Sequence, residues 1–196
     1  QYQATLPEFS GWIPVPNPIP HWDSAPQPVE KPDRVTIAYT PSGKHESYPT
    51  DHRLYWHSKG YRSTCAILKR LAERYDLQLE LINGRQVSHR EALRMKQRAH
   101  IVIDECVTGS YHRNSLEGLS CGAVVVNGTH LSEGVQATFQ HCANSEERLP
   151  FVSADLDSLE DCLAELIERG PDELEMAGKE NRDWLCSHWN FATQCH

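Results

Sequence analysis

His100-Ile101-Val102-Ile103-Asp104, then Gly109-Ser110-Tyr111-His112-Arg113, then Asn114-Ser115-Leu116-Glu117-Gly118-Leu119-Ser120, and finally Cys121-Gly122-Ala123-Val124-Val125-Val126: this stretch decides how the chain folds. Two apolar runs flank a glycine-containing loop and a short helix through Leu116 to Ser120, and Gly122 leads from that helix into the second run. Runs without polar alternation mark strands covered on both faces. That is the condition of a parallel sheet with helices on either side.

The same pattern extends in both directions. Upstream, Val35-Thr36-Ile37-Ala38-Tyr39 reads as a strand, and residues 63–75 place Ile67, Leu68, Leu71 and Ala72 on one helical face. Leu77 to Ile82 is a second strand, stopped by Asn83-Gly84. Ser88 is placed to cap a helix, with Glu91 completing a capping box before Ala92, Leu93 and Met95. Downstream come a helix near Glu133 to His141 and a strand at Phe151-Val152-Ser153. A helix from Ser158 to Glu168 carries Leu159, Leu163, Leu166 and Ile167, and Pro171 begins a last helix running past Trp184 and Leu185 toward Trp189. Five strand–helix units with right-handed crossovers give an α/β fold: a doubly wound, mostly parallel, Rossmann-like sheet with helices on both faces. Ligands of such sheets bind beyond the carboxyl ends of the strands. These ends are residues 40–60, 83–87, 104–115 and 127–133.

The chain has 196 residues, 39% of them hydrophobic, enough for one well-cored domain. Eight of its 12 prolines fall in the first 32 residues, so residues 1–33 read as a proline-rich extended arm and residues 34–196 as the domain. Trp12, Ile13 and Trp22 are costly to leave in water, which predicts that the arm packs on a surface. A net charge of −8 disfavours a general nucleic-acid binder while leaving room for a local anion site. No stretch reaches the roughly 20 apolar residues of a membrane span, and Gln1 to Ser10 lacks the layout of a signal peptide. A cytoplasmic location is expected, and the seven unclustered cysteines are expected to be reduced thiols.

Candidate chemistry gathers in the opening stretch. Amides at the helix start, around Asn114 to Leu116, suit a phosphate group. Glu117 lies one turn further in among apolar neighbours and is placed to accept hydrogen bonds from a ribose diol. His45, His52, His57 and His112 also fall at the carboxyl ends of strands. No His-Glu-x-x-His, Cys-x-x-Cys, Gly-x-Ser-x-Gly or Gly-x-Gly-x-x-Gly pattern points to a metal, a hydrolase or a dinucleotide site.

Glu117-Gly118-Leu119-Ser120-Cys121-Gly122 resembles the donor-binding helix of GT-B glycosyltransferases, which reads Glu-Ala-Met-Ala-Cys-Gly before a strand. Ser58-Lys59-Gly60 resembles the family's Lys-Gly segment, and Arg53 the arginine that partners that lysine. Ala99 to Asp104 resembles its central strand, Asn181-Arg182-Asp183-Trp184 with His188-Trp189 its closing helix, and Trp12 to Pro18 the segment crossing between its two domains. The resemblance spans roughly residues 10–190 and implies one half of a two-domain, metal-independent enzyme. It implies a UDP- or GDP-sugar donor, with Lys59 and Arg53 as catalytic contacts to the diphosphate. Glu117 would take the ribose, and Ser115, Asn114, Gly109 and Gly84 would line the donor site. Gly109 stands where retaining members carry a first glutamate.

The acceptor side would come from an amino-terminal domain or a partner subunit, and peripheral membrane association is compatible with this picture. A non-catalytic nucleotide-sugar-binding module is the nearest alternative. A receiver-type signalling domain would use Asp104 as phosphoacceptor, but Tyr39-Thr40 and Ala154-Asp155 replace the acids and the lysine it needs.

Overall fold

Ile101–Ile103 (β3) and Val124–Asn127 (β4) run parallel, with Ile101 opposite Val124 and Ile103 opposite Val126. The computed structural model describes residues 29–41, 48–49, 51, 58–81, 87–146 and 149–189. Thr36–Tyr39 (β1), Gln78–Leu81 (β2) and Phe151–Ser153 (β5) complete a five-stranded sheet of order β2-β1-β3-β4-β5 in which every neighbouring pair is parallel. Its helices are Tyr61–Arg74 (α1), His89–Arg98 (α2), Arg113–Ser120 (α3), Glu133–Ala143 (α4), Leu159–Glu168 (α5) and Gly170–His188 (α6). The proline-rich arm upstream of residue 29 lies outside the described residues.

Alternation along the strands feeds two cores. Ile37, Tyr39, Ile101, Ile103, Val124 and Val126 pack with Leu68 and Leu71 of α1 and Leu159 and Leu163 of α5 on one face. Ala38, Val102 and Val125 pack with Leu116 and Leu119 of α3 and Val135 and Phe139 of α4 on the other. Ser88 accepts the Glu91 N–H at 3.2 Å and caps α2 as the sequence indicates. Ser132 accepts the Val135 N–H at 3.4 Å and caps α4 in the same way. β4 starts one residue later than its apolar run, because the Ala123 N–H is taken at 3.1 Å by the Gly118 carbonyl in the turn leaving α3.

Two close approaches set the helices on the sheet. A methyl group added at Gly118 would lie 2.8 Å from Val125 and 3.1 Å from Val102, so glycine is what lets α3 sit directly on β3 and β4. At Gly178 it would lie 2.1 Å from the Gly122 carbonyl oxygen, and there α6 passes beneath the amino end of β4. Leu174 of α6 thus joins the first core, and Leu185 and Trp189 join the second. Lys31, which the sequence assigns to the arm, is buried at this same end. Its ammonium donates to the carbonyls of Ala99 at 2.5 Å and Gly122 at 2.7 Å. Among the described residues, no helix is long and apolar enough to cross a membrane.

Candidate functional site

The strand order reverses between β1 and β3, so the connections leaving these neighbours depart to opposite faces and open a crevice at their carboxyl ends. A cavity of about 200 Å3 occupies that crevice, with Tyr39 and Thr40 from the end of β1, Asp104 from the end of β3, Ser58 and Lys59 from the turn before α1, and His112, Arg113 and Asn114 from the start of α3 on its walls.

Lys59 reaches this position through an uncommon backbone. Its φ is 52° and that of Gly60 is 70°, two successive left-handed residues that turn the chain sharply into α1. Gly60 is confined as well, since an added methyl would lie 2.9 Å from Val107. The outcome is a lysine ammonium inside the cavity, 2.8 Å from Nε2 of His112.

Asp104 fixes the other side of His112. Its Oδ2 accepts from the His112 backbone N–H at 2.8 Å and from the Ser115 hydroxyl at 2.7 Å, and it lies 3.3 Å from His112 Nδ1. The Ser115 hydroxyl in turn accepts from Asn127 Nδ2 at 3.1 Å. Burial alone would raise the Asp104 pKa, but His112, Lys59 and the Ser115 hydroxyl outweigh it and hold the carboxyl well below the ordinary carboxylate range. A carboxylate at the first turn of a helix is also favoured by the helix dipole. The result is a continuous polar line, Asn127–Ser115–Asp104–His112–Lys59, running from beneath the sheet end into the cavity.

Asn114 straps α3 across both central strands: its Oδ1 accepts from the Thr40 hydroxyl and its Nδ2 donates to the Ile103 carbonyl at 3.1 Å. The expected amide cradle is narrower than the sequence suggests. The Ser115 and Leu116 amides point at the His112 carbonyl, at 3.0 and 3.4 Å, whereas helix geometry gives the Arg113 and Asn114 amides no intrahelical acceptor. Ser115 therefore serves Asp104 through its hydroxyl, and the amides bordering the cavity belong to Arg113 and Asn114.

Glu117 does not line this cavity. It is 6% exposed, and its carboxylate receives Lys96 Nζ at 2.6 Å on Oε2, with His89 Nε2 at 2.8 Å and Arg113 Nε at 3.0 Å on Oε1. Burial would raise its pKa, yet Lys96 and His89 prevail and lower it. The cluster fastens α2 to α3, and it reaches the cavity only through Arg113. Gly109, with φ 71°, is pressed against Leu131 and Ser132 instead of the cavity wall. Arg53 and Gly84 lie outside the described residues, as do His45, His52 and His57.

The structure brings Lys59, His112 and Asn114 together on the cavity wall. The residue that sequence reasoning undervalued is Asp104, for which the available signal was an acid placed directly after a fully apolar strand. Glu105 beside it was also passed over. Buried, it accepts the amides of Val107, Thr108 and Ser110 at 3.0, 2.8 and 3.2 Å and so shapes the loop between β3 and α3. Asp155-Leu156-Asp157 has a spacing suited to a divalent ion. Asp155 Oδ1 instead accepts the N–H groups of Asp157 and Ser158, at 3.1 and 2.8 Å, as a turn cap. Neither a known protein-family model nor a curated protein matches this chain.

Proposed function

We propose that the chain is the donor-binding half of a glycosyltransferase, holding a nucleoside-diphosphate sugar with its diphosphate in the cavity between β1 and β3. The observation that carries this reading is the Lys59 ammonium, held by a left-handed turn against His112 at the start of α3, in a cavity that Arg113 also lines, where an anion gains from the cations and from helix amides that have no intrahelical acceptor. As the bond from sugar to diphosphate breaks, negative charge grows on the leaving phosphate, and groups already aimed there stabilise the transition state without moving. The acceptor would be brought by a second domain or subunit. Glu117 is available to a ribose only on its Oε1 side, where a sugar hydroxyl would replace the half-exposed His89 or Arg113.

Calorimetric titration with UDP, GDP, ADP and their sugars tests the reading. Lys59→Ala should weaken the nucleotide that binds by about tenfold or more, the loss expected for a charge-assisted hydrogen bond. Glu117→Gln is the proper companion, because Glu117→Ala would leave Lys96 buried without a counter-charge and threaten the fold. Absence of binding by all three diphosphates at millimolar concentration, or an undiminished affinity in Lys59→Ala, overturns it.

A further inference from the structure

The Asp104–His112–Lys59 line does more than hold a lysine in place. We infer that His112 is itself a phosphate ligand and binds as the imidazolium, so that anion binding in this cavity takes up one proton, with Asp104 as the buried counter-charge. The inference rests on the reading of the cavity as a diphosphate site, but it is silent on the nucleoside.

The geometry around His112 assigns the tautomer of the ring without a bound anion. Asp104 Oδ2 only accepts, and it already draws in the His112 backbone N–H and the Ser115 hydroxyl, so Nδ1 beside it, at 3.3 Å, carries the ring proton. Nε2 then presents its lone pair, and the Lys59 ammonium at 2.8 Å donates to it. A proton on Nε2 would instead place two cationic donors face to face at that distance. Among the described residues, the charged and titratable groups facing this space from the surrounding elements are Asp104 at the end of β3, Lys59 before α1, Arg113 on α3 and Tyr39 at the end of β1.

A phosphate oxygen entering between Lys59 and His112 reverses the requirement. Lys59 turns its N–H groups to the anion, and a neutral His112 would then aim a lone pair at a negative oxygen. The favourable arrangement has a proton on Nε2, taken from solvent, while Nδ1–H stays on Asp104. Both ring nitrogens then donate, one to the phosphate and one to a carboxylate that is already ionised. The same proton lies at the oxygen that gains charge when the sugar departs, so His112 would assist the reaction as well as the binding.

Titration with inorganic pyrophosphate and with UDP, each in two buffers of different ionisation enthalpy and above the ordinary histidine pKa of about 6.5, reads the proton count directly. The expected result is uptake of about one proton by the wild type beyond that in His112→Gln, the difference cancelling the probe's own titration, with affinity lowered about tenfold or more in the variant. The nitrogen-15 shifts of the His112 ring in the unmutated protein give a second measurement, moving from the Nδ1–H tautomer to the doubly protonated ring as pyrophosphate is added. Equal uptake in both proteins, a ring that stays neutral when saturated, or no pyrophosphate binding overturns the inference. Pyrophosphate binding with proton uptake and no preference for UDP would sustain it while removing the nucleotide-sugar reading.

Discussion

Among the described residues, Lys59 is one of two residues other than glycine with positive φ, and the strained position coincides with a lysine on the cavity wall. A long side chain in the left-handed region costs on the order of 1 kcal/mol against glycine, so the backbone there is held by its surroundings and not by local preference. Stability and binding should therefore separate at this position. Lys59→Gly should leave stability unchanged or raise it by up to about 1 kcal/mol, because relief of strain offsets the added freedom of the unfolded chain, while diphosphate affinity falls as far as in Lys59→Ala. Lys59→Ala keeps the strain and should be the less stable of the two. Urea denaturation of both variants checks this, and an Ala variant more stable than the Gly variant would show that the turn imposes no strain.

At the scale of elements, α3 carries the site because it sits close enough to the sheet for Asp104 and Asn114 to bridge them, and Gly118 sets that distance. Gly118→Ala gains roughly 1 kcal/mol of helix propensity but forces a methyl to 2.8 Å from buried Val125, so a net loss of about 1 kcal/mol is expected. Gly178→Ala should cost more, about 2 to 3 kcal/mol, because its obstacle is a backbone carbonyl at 2.1 Å that no rotamer change can clear. Denaturant midpoints that rank the two in the opposite order would place the tighter joint at α3. The elements themselves were legible in the sequence, since β1, β3 and β4, buried along their whole length, leave nearly unbroken apolar runs and Ser88 marks a helix start by a local bond. Partners across elements were not. Nothing in the spacing of α3 says that Lys96, on a different helix, comes within 2.6 Å of Glu117, and so an acid that pins two helices together reads from sequence as one facing a ligand. The partners of Asp104 are hidden for the same reason, its role being defined by His112 and Ser115 at the far end of a loop.

The two ends of the sheet respond differently to protons, and that difference governs the whole molecule. The carboxyl end holds ionised Asp104 under a cation-lined cavity, whereas the amino end buries His100 and Lys31 against strand carbonyls and amides. His100 is fully buried, and its Nδ1 accepts the Thr36 N–H at 3.1 Å, joining β1 to β3 at the centre of the sheet, so the ring must be neutral there. Burial first, and Lys31 second, lower its pKa from 6.5 to about 4. The unfolded chain therefore binds the proton more readily than the folded one between those values, and stability rises with pH across that window. This contribution is complete above about 6.5 and is lost as pH falls toward 4, for a total on the order of 3 kcal/mol. Lys31, with burial lowering its pKa from 10.5 to about 8, adds a second rise between those two values, because the folded protein releases that proton first. Below the ordinary carboxylate range the slope steepens further, since Asp104 and Glu117 are both more acidic folded than unfolded. Urea denaturation at a series of pH values should show one additional proton bound on unfolding near pH 5, and His100→Gln should remove that proton while lowering stability at neutral pH. An unchanged slope in the variant would mean that His100 is protonated alike in both states, and that acid unfolding starts at the carboxylates of the site.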